Sequence, residues 1–212
     1  MNIFSSLLLS VIITCFSFVS QDDPYQPMKE IQAFKTKLNQ ANQSISSMKC
    51  NFVQEKQLSF LAQKVISKGN LSYKKPDKMK IEYTTPFVYS MSLYNGKAYV
   101  KDNDKVSKFD TRSNKLFKYI NDLMIQSVQG NILDNPDFVI NYQENKSLFL
   151  VDMTPKDKSI QEYLDKVKIF VQKSSYQVVA VEISEKGGDY TRINFINRIY
   201  NSNLPDEGFI IK

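Results

Sequence analysis

Few residues in this chain have side chains suited to catalysis. Cysteine occurs twice, at Cys15 and Cys50, and histidine does not occur. Without imidazole there is no histidine base, no Ser-His or Cys-His pair and no histidine metal ligand. Cys50 sits between Met48 and Phe52 in an alternating run, which reads as a small buried hydrophobe rather than a nucleophile. The carboxylates fall mostly in turns or on the polar faces of strands. Asp152 and Glu182 interrupt otherwise apolar runs, and the pattern attaches no mechanism to them. No nucleophile elbow, Walker loop or HExxH motif is present. Six glycines argue against a phosphate-cradling loop or a dinucleotide fold.

What remains is apolar surface, with 12 Tyr, 14 Phe and 7 Met but no Trp. In "KMKIEY", Met79, Ile81 and Tyr83 share one face of a strand, and Lys78, Lys80 and Glu82 share the other, expected to face water. Neighbouring runs add Leu71 and Tyr73, then Tyr89, Met91 and Leu93, to the apolar side. A sheet with such a face, covered only by amphipathic helices, can enclose a cavity for an apolar ligand. The same residues can equally form a filled core, and periodicity does not separate the two.

The elements that must position this surface follow from the hydrophobic period. Residues 27 to 43 carry Met28, Ile31, Phe34, Leu38 and Ala41 at helical spacing. From about residue 46 the period becomes two, and six short runs follow, with Asn95-Gly96 as a hairpin turn. Residues 111 to 131 return to a helical period, with Leu116, Ile120, Leu123, Met124 and Ser127 on the apolar stripe. Strand patterns then resume, and "GFIIK" at the end reads as a last short strand. The fold class is therefore mainly β with helices: about eleven strands in one strongly curved antiparallel sheet, with helices laid against its concave side.

The formal charge is +6, carried almost wholly by Lys, with Arg only at 112, 192 and 198. The cations are spread among Asp and Glu, which predicts a solvated basic face and no nucleic-acid groove. Residues 1 to 20 form an apolar, uncharged run of signal-peptide length. This predicts cleavage near Ser20, export, and a single domain over 21–212. A rival reading makes "IITC" a lipobox, with the chain anchored to a membrane through lipidated Cys15.

The order of several short motifs resembles the periplasmic outer-membrane lipoprotein carrier family, LolA. Phe52-Val53-Gln54 is followed by Gly69-Asn70-Leu71, Lys74-Lys75-Pro76, the Met79 to Tyr83 strand, Pro86 and Asn95-Gly96-Lys97. "DMTPK" at 152 to 156 and the late hairpins extend the likeness over nearly the whole mature chain. The resemblance implies an unclosed antiparallel half-barrel with helices as a lid over an apolar cavity. It implies a periplasmic, monomeric, cofactor-free chaperone and no enzyme. Such a carrier takes acylated lipoproteins from an inner-membrane ABC-type lipoprotein-releasing complex to an outer-membrane acceptor. Carried onto this chain, cavity-lining positions fall on Met79, Ile81, Tyr83 and Val167, with Ile169 beside the last. The family's lid-holding Arg falls on Lys75, a point charge in place of a planar fork. The lid is expected at 112 to 129. The alternatives are a lipid or lipoprotein sensor of the same fold, which usually carries a second C-terminal domain, or a carrier of another acyl ligand. A lipid hydrolase lacks the residues it needs.

Overall fold

The computed structural model describes residues 23–110, 126, 133 and 135–211. Residues 1–20, expected as a leader, and the helix expected at 111–131, apart from residue 126, lie outside the described residues, and with them Leu116, Ile120, Leu123 and Met124. Twelve strands lie among the described residues: β1 (Gln26–Pro27), β2 (Ser47–Gln57), β3 (Val65–Lys74), β4 (Lys78–Thr85), β5 (Tyr89–Tyr94), β6 (Lys97–Asp102), β7 (Lys105–Asp110), β8 (Phe138–Glu144), β9 (Leu148–Pro155), β10 (Lys166–Gln172), β11 (Gln177–Ser184) and β12 (Tyr190–Tyr200). The helix α1 spans Ile31–Gln43. It starts later than the apolar stripe suggested. Residues 26 and 27 instead pair with β8, because Pro24 and Pro27 favour extended backbone before the helix.

All twelve strands form one antiparallel sheet in the order β1-β8-β9-β10-β11-β12-β2-β3-β4-β5-β6-β7. The sheet is not closed: its outer strands, β1 and β7, are not paired with each other. Most neighbours are hairpins. Asn95 and Gly96, both with positive φ, make the β5–β6 turn their sequence announced. The one long-range seam between major strands is β12 with β2, where Tyr200 lies opposite Met48 and Tyr190 opposite Gln57.

One face of the sheet, the inner face, carries two apolar clusters. Phe34 and Leu38 of α1 lie against Val151, Met153, Val167, Ile169 and Val171 of β9 and β10. Each such fully buried side chain contributes about 1.5–3 kcal/mol. Met48, Cys50, Phe52, Leu71, Tyr73, Met79, Ile81, Leu93 and Ala98 make the second cluster across β2 to β6. Phe195 of β12 touches both.

The outer face departs from expectation in two places. "GFIIK" is not a strand: Asp206–Phe209 form a 3₁₀ turn, and Phe209 and Ile211 are buried. Ser92 Oγ donates to the Phe209 carbonyl, which fastens this segment across β5. Nor do the lysines of the basic turn simply face water. Asp206 accepts from Lys74 at 2.6 Å and pairs with Lys78 at 3.1 Å, and the Lys78 side chain is only 15% exposed. The alternation correctly separates the two faces, but it does not reveal that a distant segment covers the polar one.

Gly69 explains the "G-x-L" spacing. It lies opposite Phe52, whose ring occupies the space above it. A Cβ there would stand 2.1 Å from the Glu82 carbonyl oxygen and 2.7 Å from Phe52 Cζ. Replacing Gly69 with Ala is expected to cost about 3 kcal/mol through overpacking. Urea unfolding should show a lower midpoint at unchanged slope; an unaltered midpoint would mean that the β3–β4 backbone yields freely.

Candidate functional site

The groups with catalytic potential resolve into structure. Asp152, Lys168, Glu182, Arg192 and Glu55 stand opposite one another across β9, β10, β11, β12 and β2, alternating in sign along the outer face. Lys168 donates to Glu182 at 2.9 Å, Arg192 lies 3.6 Å from the same carboxylate, and Lys166 lies 3.5 Å from Asp152. The carboxylates that interrupted apolar strands are thus rungs of a cross-strand charge ladder. Cys50 is buried, and that burial pushes its thiol up to about 12 against a smaller opposing pull from Arg198. A thiol so raised is inert as a nucleophile at neutral pH.

The apolar face offers a cavity. It is about 50 Å³ and lies over the middle of the sheet, where the two clusters meet. Met48, Leu71 and Met79 of β2 to β4 form one wall. Val178, Val181 and Ile183 of β11, with Ile193, Phe195 and Tyr200 of β12, form the other. Asn42, at the end of α1, and Ile45 close it over, and Gln177 stands at its edge. A larger, more open recess of about 340 Å³ lies beside β4 and β5, where Tyr83, Val88 and Tyr89 line it together with Asn70, Glu82, Lys101 and Asn103, so apolar and charged groups mix there.

The residues singled out from sequence fall on the inner face in three groups. Leu71 and Met79 line the cavity. Tyr73, Ile81 and Leu93 are buried beside them in the second cluster, with Tyr83 and Met91 half-buried at its margin. Val167 and Ile169 are also buried, but under α1 in the first cluster. Tyr89 is 36% exposed, and its ring stacks on Tyr83 at 4.2 Å. Tyr83 in turn meets Phe52 edge-on at 5.0 Å and donates from its hydroxyl to Gln54 Oε1 at 2.6 Å. The "F-x-Q" and "G-x-L" motifs therefore meet at one packed corner.

Lys75 contacts the end of α1, while the 112–129 segment expected as the lid lies almost wholly outside the described residues. Its Nζ donates to the main-chain carbonyls of Asn42 at 2.9 Å and Gln43 at 3.2 Å, the last carbonyls of α1. The Asn42 carbonyl also accepts from Ile45 N at 3.2 Å, and a cation there adds to that bond and complements the helix dipole. The junction of α1 with β2 is clamped further by Asn201, whose Oδ1 accepts from Ser46 N at 2.8 Å and Ser46 Oγ at 3.1 Å.

Sequence reasoning missed the β11 and β12 wall and the roles of Asn42 and Ile45. The runs "VVAVEI" and "INFI" showed strands, but only the β12–β2 seam places them opposite Leu71 and Met79.

No curated protein matches the chain. Among solved structures, an uncharacterized conserved protein from Thermus thermophilus is similar over 85% of this chain and 93% of its own, with a TM-score of 0.52 and 5% identity. A LolA superfamily protein from Nitrosomonas europaea is similar over 85% of this chain and 97% of its own, with a TM-score of 0.45 and 12% identity. MucB in its complex with MucA from Pseudomonas aeruginosa is similar over 87% of this chain and 62% of its own, with a TM-score of 0.49 and 10% identity. A sequence model of the outer membrane lipoprotein carrier protein LolA matches residues 43–212, from the end of α1 through every strand from β2 onward. With that much of its length matched, the chain belongs to the LolA family.

Proposed function

We propose that this protein is a periplasmic carrier that shields the acyl chains of lipoproteins between an inner-membrane ABC-type releasing complex and an outer-membrane acceptor. The observation that carries the reading is the cavity between the two inner-face clusters, walled on both sides by aliphatic and aromatic side chains. Residues 1–20 serve as its export signal in this reading, and it makes and breaks no covalent bond. The ligand-lining set includes Leu71, Met79, Ile81 and Tyr83, extended by Val178, Val181, Ile193 and Phe195.

Burying acyl methylenes supplies the affinity, at about 0.8 kcal/mol each. A cavity of about 50 Å³ is too small for a whole chain, so loading must widen it. The end of α1 is the part that yields, because Asn42 and Ile45 close the cavity from that side. Lys75 opposes this by holding the Asn42 and Gln43 carbonyls. It acts as a latch on the closed state, and ligand affinity is lowered by the cost of releasing it.

Residues 21–212 should bind a fluorescent long-chain acyl probe saturably at one site. Val178→Phe, which puts a ring into the cavity from a half-buried position, should abolish binding with the circular dichroism spectrum unchanged. A folded wild type that takes up no probe would refute the carrier reading.

Lys75→Ala should shift the same titration the other way. Losing one charged hydrogen-bonding group from the closed state is worth on the order of 1 kcal/mol, so the probe should bind roughly three- to tenfold more tightly. Weaker or equal binding would show that Lys75 does not restrain opening.

A further inference from the structure

The cavity is not uniformly apolar, and its polarity has a direction. Its polar lining groups are Asn42, Gln177 and Tyr200. Gln177 is the first residue of β11, Tyr200 is the last of β12, and Asn42 is in the final turn of α1. Because Tyr200 lies opposite Met48 at the start of β2, all three stand at one end of the sheet. Away from that end the wall runs through Val181 and Ile193, which face each other, to Ile183. From Gln177 to Ile183 the strand advances about 20 Å.

Asn42 is the unusual member of the polar end. The residue is only 4% exposed, and its Nδ2 is buried without a hydrogen-bond partner. Its own carbonyl is taken by Lys75, so main chain and side chain point to different tasks. A buried donor left unpaired costs stability, and native structures rarely keep one without a reason. A polar group converging on an otherwise apolar pocket fixes the orientation of what enters it.

We infer that Asn42 Nδ2 is the recognition point for the acyl carbonyl of the ligand, the ester or amide oxygen where the hydrocarbon chain joins its carrier group. The inference rests on the acyl-binding reading above and assigns the ligand an orientation: carbonyl at the α1 end, methylenes along Val181, Ile193 and Ile183.

The test compares hexadecanoic acid methyl ester with hexadecyl methyl ether, which has a similar chain and no carbonyl. Each would displace a fluorescent acyl probe from residues 21–212 at neutral pH. The wild type should favour the ester by about tenfold, and Asn42→Leu should bring the two within about twofold while still binding the ether. A hexadecanoyl-glycinamide arm separates the sources of the carbonyl: tighter binding than the ester assigns an N-linked chain, weaker binding an ester-linked one. Equal wild-type binding of ester and ether, with displacement intact, would overturn the role of Asn42 and leave the carrier reading standing. Failure of every ligand to bind would overturn both. Asn42→Ala serves in its place if Asn42→Leu does not fold, and an ester preference that persists in a folded variant would overturn the role of Asn42.

Discussion

The pairing of β12 with β2 is the constraint on which the rest of this structure depends. Two meanders separated by most of the chain become one sheet only because Tyr190 to Tyr200 runs antiparallel to Met48 to Gln57. Asn201 extends the seam past the last strand, donating from its main chain to the Ser47 carbonyl while its side chain holds Ser46. Without that seam each meander would hold half an apolar face. With it, the faces become continuous, Phe195 bridges them, and a gap between the clusters becomes a cavity.

The same seam decides where the helix can act. α1 leads directly into β2, so its last turn must sit over the join. Its first turns are committed to β8 and β9: the Phe34 ring lies 4.6 Å from that of Phe149 and 6.3 Å from that of Tyr142. Its last turn has weaker anchorage, from Asn42 in the cavity and from Lys75 on the carbonyls outside. One end of the helix is thus core and the other is a tethered cover. That division is what a binding protein needs, since opening one turn spares the aromatic packing that holds the fold.

Alternation was enough to read most of the fold. The strands β2 to β4 appeared as period-two runs, β9 and β11 as short apolar runs, and Asn95-Gly96 marked its turn, because those signals are local. The inner-face residues of β3 to β5 were legible for the same reason. Signals that depend on distant partners were not. Asp152 and Glu182 looked out of place until their neighbours across the sheet supplied Lys168 and Arg192. "GFIIK" is apolar enough for a strand, but its backbone is tied to Ser92 in the middle of the sheet, not along an edge. Lys75 was singled out by likeness to a family position; the identity of the carbonyls it would hold was not written in its own segment.

In the carrier role proposed above, reversible binding would follow from how this face is filled. An acyl chain of ordinary length, fully buried, would contribute on the order of 10 kcal/mol before ordering costs, which is tight for the proposed carrier, whose cargo would have to leave. The closed form competes with that gain. In it Met48, Met79, Leu71 and Phe195 already pack against one another and leave only about 50 Å³ between them. A chain entering must displace these contacts and lift the end of α1, so much of its burial replaces burial the protein had achieved alone. Two of the displaced side chains are methionines, unbranched and able to repack around irregular guests at little cost in strain. A rigid preformed tunnel would bind more tightly and release more slowly. Under the proposed function, a face that closes on itself when empty would lower the affinity and drive release, because the protein would recover its own packing as the ligand leaves.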